Sequence, residues 1–139
     1  MVDFKSGVSV IKSCDLKISP LTTRADIQKL AAQYIKEVTE VDTGYKHTCL
    51  VCNENLNFEE CNDIWICSYG DGKIISIDVH PNGFDVRNQA GRMQAASCCR
   101  RWLEVQGQRK DFQRYDWGSV SFVDDDRSWF LGIRIVFGR

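Results

Sequence analysis

Cys49-Leu50-Val51-Cys52, with His47 before it and Cys61 and Cys67 after it, gathers the side chains most able to hold a metal or react. Cys-x-x-Cys is half of a structural zinc site, because a turn presents two thiolates to one tetrahedral ion. The other half is poor. Cys61 and Cys67 stand well apart, and Asn53-Glu54-Asn55 follows where a zinc knuckle often carries glycine. Cys49 and Cys52 also lie in or beside a β-branched run, where residues three apart point to opposite faces of a strand. A redox pair is disfavoured for a related reason, since it needs a helix N-terminus to lower its thiol pKa. The sulfurs read as core filler, free cysteine behaving as a small hydrophobe. No metal and no cofactor is expected.

Asp78 and His80 make a second constellation. At i and i+2 of a strand they share a face, so the carboxylate would orient the imidazole, and Cys98 or Cys99 would complete a nucleophilic set. Both thiols, however, fall on the apolar arc of a helix. A thiol-dependent enzyme is therefore an alternative reading, not the main one. Other catalytic signatures are missing from the sequence: it has no P-loop, dinucleotide fingerprint, nucleophile elbow or deaminase motif.

Charge is segregated along the chain although the net value is only −1. Acids crowd the stretch from Glu37 to Asp63 and recur at Asp124-Asp125-Asp126. Bases crowd the segment Arg87–Arg114, which holds Arg100, Arg101, Arg109, Lys110 and Arg114 with Trp102, Phe112, Tyr115 and Trp117 interleaved. That pattern would suit phosphate contacts and base stacking, so nucleic-acid binding through Arg87–Arg114 is a further alternative. A pI of about 6.1 opposes it. Adjacent faces of opposite sign that neutralise each other explain the pattern equally well.

The elements that must position these residues follow from periodicity. Val8 to Ile11 reads as an opening strand. Thr23 and Asp26 are spaced as a capping box, and Ile27, Leu30, Ala31, Tyr34, Ile35 and Val38 recur at helical spacing, which predicts a helix ended by Asp42-Thr43-Gly44. His47–Cys52 and Ile64–Tyr69 read as strands, the second buried on both faces and so central. Gly70-Asp71-Gly72 supplies a tight turn into a returning strand, Lys73–His80, with Ile75, Ile77 and Val79 on one face. A second helix is predicted from Arg87 to Gln106. Gly91, Ala95, Cys98, Cys99, Trp102 and Leu103 form its apolar arc, the small residues allowing close approach to a sheet. Ser119–Val123 and Trp129–Phe137 close the chain as a hairpin across Asp124–Ser128.

The predicted order is β-α-β-β-β-α-β-β, a single α+β domain over residues 1–139 with a mostly antiparallel sheet and two helices packed on one face. The other sheet face, with Phe130 and Val136, is expected to stay partly open. A chain of 139 residues, 43% hydrophobic, can bury its own core without a metal or disulfide. Met1 to Gly7 shows no export signal, no apolar run is long enough to span a membrane, and seven cysteines fit a reducing compartment. The expected location is the cytoplasm.

The main expectation is a protein-binding module, not an enzyme: an inhibitor, or an immunity or antitoxin-type protein, that occludes a partner such as a basic toxin or enzyme. The candidate contact residues are Glu54, Phe58, Glu59, Glu60, Asp63, Asp124, Asp125, Asp126 and Trp129. The acids would steer association with a basic cleft, and the aromatics would be buried anchors.

Overall fold

The computed structural model describes residues 2–11, 16–19, 21–27, 37–42, 46–51, 63–70, 72–81, 83–125, 127 and 130–138. The chain adopts the expected α+β class. A small antiparallel sheet comes first, from β1 (Val2–Asp3), β2 (Val8–Ile11) and β3 (Leu16–Ile18). The helix α1 follows, described over its first turn at 24–27. The main sheet is seven-stranded and antiparallel, in the order β4-β5-β6-β7-β10-β9-β8. Its strands are β4 (Glu37–Asp42), β5 (Lys46–Val51), β6 (Asp63–Gly70), β7 (Lys73–Pro81), β8 (Phe112–Tyr115), β9 (Gly118–Asp125) and β10 (Phe130–Phe137), with the long helix α2 (Gln89–Val105) between β7 and β8.

The α1 cap forms as its spacing predicts. The Thr23 N–H donates to Asp26 Oδ2 at 3.0 Å, and the Asp26 N–H donates back to Thr23 Oγ1 at 3.2 Å. Aspartate thus does the work of the usual glutamate in a reciprocal box. The expected run of this helix to Asp42 does not hold. Residues 37–42 are strand β4, paired along its whole length with β5 from Glu37–Val51 to Asp42–Lys46. Val38, Thr39 and Val41 are β-branched, poor in a helix and good on a pleated surface, and an available partner strand decides the contest.

α2 carries the buried face read from its periodicity: Gly91, Ala95, Cys98, Cys99, Trp102 and Leu103. Asn88 caps its start, accepting the Ala90 N–H at 2.8 Å. Its end is a Schellman motif, with the Gln108 N–H donating to the Leu103 carbonyl and the Gly107 N–H to that of Glu104. Ile27 of α1 and the buried side of α2 belong to one core with Cys67, Tyr69, Ile74, Ile77 and Val79, and with Val120, Leu131, Ile133, Ile135 and Phe137. Gly91 has a different role from the one expected. A Cβ there would lie 2.1 Å from the Asp85 carbonyl oxygen, so the close approach is to the chain entering the helix, not to the sheet.

The β6–β7 hairpin also departs from simple alternation. Ser68 pairs with Ser76 but Tyr69 with Ile74, which leaves Ile75 as an extra residue in β7. Such a bulge reverses the inward and outward pattern on one side of it. Ile74 is therefore buried and Ile75 exposed, in place of the expected Ile75, Ile77 and Val79 set. β1, β3, β4 and β8 were not anticipated; β1 and β3 are two or three residues long and β8 is four, too short to show a period.

The N-terminal segment plugs the end of α2. Phe4 is fully buried, 5.2 Å from the Trp102 ring and 6.2 Å from Tyr115. Its carbonyl accepts Trp117 Nε1–H at 2.8 Å. Gln108 bolts the same region from within, its Nε2 donating to the carbonyls of Lys110 and Val120 and its Oε1 accepting from the Tyr115 hydroxyl. Burial raises the Tyr115 pKa above the ordinary phenol value.

Candidate functional site

Strand alternation sends Ile77, Val79, Ile133 and Ile135 toward α2 and turns Ser76, Asp78, His80, Phe130, Gly132, Arg134 and Val136 to the other face. Four of these residues form one cluster. Arg134 Nε donates to Asp78 Oδ1 at 2.8 Å and its NH2 group to Oδ2 at 3.3 Å, a two-pronged pairing across β10 and β7. The guanidinium carbon stands 5.5 Å from the Phe130 ring centre. His80 also meets that ring, 5.7 Å away and edge-on. A cation and an imidazole thus both pack on one phenyl ring.

The electrostatics follow from these contacts. The hydrogen bonds Arg134 donates to Asp78 raise the Arg134 pKa, with burial opposing and the charges of Asp78 and Asp125 adding to the rise. Burial lowers the His80 pKa below 6.5, and the nearby Asp78 charge only partly offsets it. His80 Nε2 is buried without a hydrogen-bond partner among the described residues. Gly132 makes room for this imidazole: a Cβ there would come within 2.8 Å of His80 Cβ and 2.5 Å of the Val79 carbonyl.

The expected pairing of Asp78 with His80 is therefore replaced by Asp78 with Arg134. The lone arginine in the apolar strand β10 was the available signal, since such a residue needs a carboxylate opposite. Cys98 and Cys99 lie buried on α2, against the opposite face of the sheet from His80. A Cys-His-Asp set is not assembled from these residues. Cys67 is buried in the same core, and the register places Cys49 opposite Ile66, one step off the Thr48–Cys67 pair. Among the described residues no group of three or more His, Cys, Asp or Glu is placed to hold a metal ion, and no helix is long and apolar enough to cross a membrane.

The proposed contact residues fare unevenly. Glu54, Phe58, Glu59, Glu60, Asp126 and Trp129 lie outside the described residues, as do Cys52 and Cys61. Asp63 opens β6 opposite Pro81 at the end of β7. Asp124 and Asp125 close β9 opposite Leu131 and Phe130 at the start of β10. Antiparallel register thus brings acids distant in sequence to one end of the sheet. Asp124 and Asp125 point to opposite faces, as neighbours in a strand must. Asp124 pairs with Arg92 of α2, whose guanidinium also donates to the Val86 carbonyl at 3.0 Å. Asp125 accepts the Arg127 N–H at 3.0 Å.

Part of the basic segment is engaged within the chain, while Arg109, Lys110, Arg114 and Phe112 are exposed. Arg100 lies 3.8 Å from Asp111 and 4.9 Å from the Phe122 ring centre, and Arg87 is 4.0 Å from Asp85. Trp102 is buried and Tyr115 half-buried against Phe4, so these rings do not present free stacking platforms. No family model, curated protein or solved structure matches this chain.

Proposed function

We propose that this chain is a protein-binding module of the inhibitor, immunity or antitoxin kind, acting from the cytoplasm on a basic partner. The observation that carries the reading is Asp125 opposite Phe130 on one sheet face, at the end of the sheet where Asp63 and Asp124 also lie. Acids at one end would steer a basic cleft toward the sheet. Phe130, backed by Arg134 and His80, offers a stiff, partly desolvated aromatic anchor of the type that dominates interfaces. Glu54, Phe58, Glu59, Glu60, Asp126 and Trp129 remain candidate contact residues of this proposal.

The test is native affinity purification of the tagged chain, followed by reconstitution with the purified partner. Reversal of Asp125 to Lys slows association, and the effect shrinks as salt rises. Phe130→Ala speeds dissociation. A wild-type chain that elutes alone, or a partner held equally well by both variants, removes the reading.

A further inference from the structure

Among the described residues β8 is the outermost strand of the main sheet and pairs on one side only, with β9. Its hydrogen-bonding phase can be read from its neighbours. The Phe122 N–H donates to the Asp111 carbonyl at 2.6 Å, in the same register that joins Phe112 to Ser121 and Gln113 to Val120. Bonded and non-bonded pairs alternate along an antiparallel ladder. Asp111, Gln113 and Tyr115 therefore turn their backbone groups to β9, and Phe112 and Arg114 turn theirs outward. The side chains of Phe112 and Arg114 are exposed, the phenyl ring at 53%. An exposed large apolar residue on an open strand edge is a template for another strand.

We propose that this edge joins a second copy of the chain through a two-fold axis at Gln113. An isologous contact sets each residue against its symmetry mate in reverse order. Phe112 then exchanges backbone hydrogen bonds with Arg114 of the partner subunit, and Arg114 with the partner's Phe112. Each guanidinium lies beside a phenyl ring, a favourable cation–π pairing. The same register sets Lys110 against the partner's Asp116, and both Lys110 and Asp116 are exposed. Opposite charges thus meet on both sides of the axis. Other registers lose this match: an axis at Phe112 sets Lys110 against the partner's Arg114, and an axis at Arg114 sets that arginine against the partner's Arg114. Phe112 lies two strands from Arg134 on the same sheet face, but the contact runs along the β8 edge through Phe112, Arg114, Lys110 and Asp116, none of which the first proposal uses, so the two proposals are tested independently.

Sedimentation velocity of the full chain over a range of concentrations tests this. A reversible dimer is expected, with a Kd on the order of 100 μM for so small a contact. Lys110→Glu and Asp116→Lys each weaken it about tenfold, and the double charge swap restores it to within about twofold of wild type. Far-UV circular dichroism checks that each variant is folded. If Asp116→Lys disturbs the turn into β9, Lys110→Glu and Phe112→Ser carry the test, both weakening the dimer. A chain that stays monomeric at the highest concentration overturns the proposal, as does a dimer indifferent to these variants.

Discussion

Arg134 and Asp78, 56 residues apart in sequence, meet across β10 and β7 through two hydrogen bonds at 2.8 and 3.3 Å. The pair is unequal in exposure, 44% for the arginine side chain and 16% for the aspartate. Solvent screens the cation, so the attraction itself is worth little. Removing the arginine matters more, because it leaves a mostly covered carboxylate without its donors. Arg134→Ala is expected to cost about 1 kcal/mol in urea unfolding, a discounted figure for a pair this exposed. Arg134→Lys keeps the charge but not the fork, and recovers at most part of the loss. Equal stability of the Lys variant and wild type would show that geometry contributes nothing.

His80 predicts how stability depends on pH. Burial holds its folded-state pKa below the ordinary 6.5. The folded chain therefore resists a proton that the unfolded chain accepts. The sign follows from linkage: the contribution is fully present above pH 6.5 and is lost as pH falls through the lower folded value. Thermal unfolding of wild type is expected to weaken between neutral and mildly acid pH more steeply than that of His80→Phe. Parallel pH profiles of the two proteins would mean that the imidazole is not desolvated.

Local periodicity made α2 legible because a long helix repeats its apolar face several times, and each of Gly91, Ala95, Cys98, Cys99, Trp102 and Leu103 reinforces the same arc. The hairpin turn before Lys73 was legible for a similar reason, turn chemistry being local. What escaped depends on partners distant in the chain. Whether Glu37–Asp42 is helix or strand is decided by β5, and the inward turn of Ile74 by a bulge against Tyr69. The cluster on the sheet face opposite α2 was half legible. Asp78 and His80 share a face by simple alternation, but Arg134 comes to Asp78 only through the pairing of β10 with β7. The charge runs misled in the opposite sense, because Asp124 and Asp125 are adjacent in sequence yet divided by the sheet.

Gly91→Ala offers a test in which local and tertiary effects oppose each other. In an isolated helix alanine is favoured over glycine by about 1 kcal/mol. Here the added Cβ would sit 2.1 Å from the Asp85 carbonyl oxygen, a backbone atom that cannot swing aside. Overpacking of this kind costs about 1–3 kcal/mol. Net destabilisation is expected, measured by urea unfolding. A stabilised variant would show that the chain before Asn88 yields without cost.

Cysteine reactivity separates packing from chemistry most directly. Cys67 and Cys99 are fully buried and Cys98 is 5% exposed, all within the core beneath α2. A thiol must be reached, and must ionise, before it attacks an alkylating reagent. Interior placement frustrates the first step. Mass mapping after brief iodoacetamide treatment at neutral pH should therefore find these three sulfurs unmodified in the native chain and modified after unfolding. The Arg101 guanidinium donates to the Cys98 sulfur at 3.6 Å, and Cys98 is the more exposed of Cys98 and Cys99, so Cys98 is the sensitive position. Fast modification of Cys98 in the folded protein would restore the thiol-enzyme reading. Slow modification that tracks global unfolding leaves the sulfur as packing, and with it the view that this molecule works by contact through its sheet.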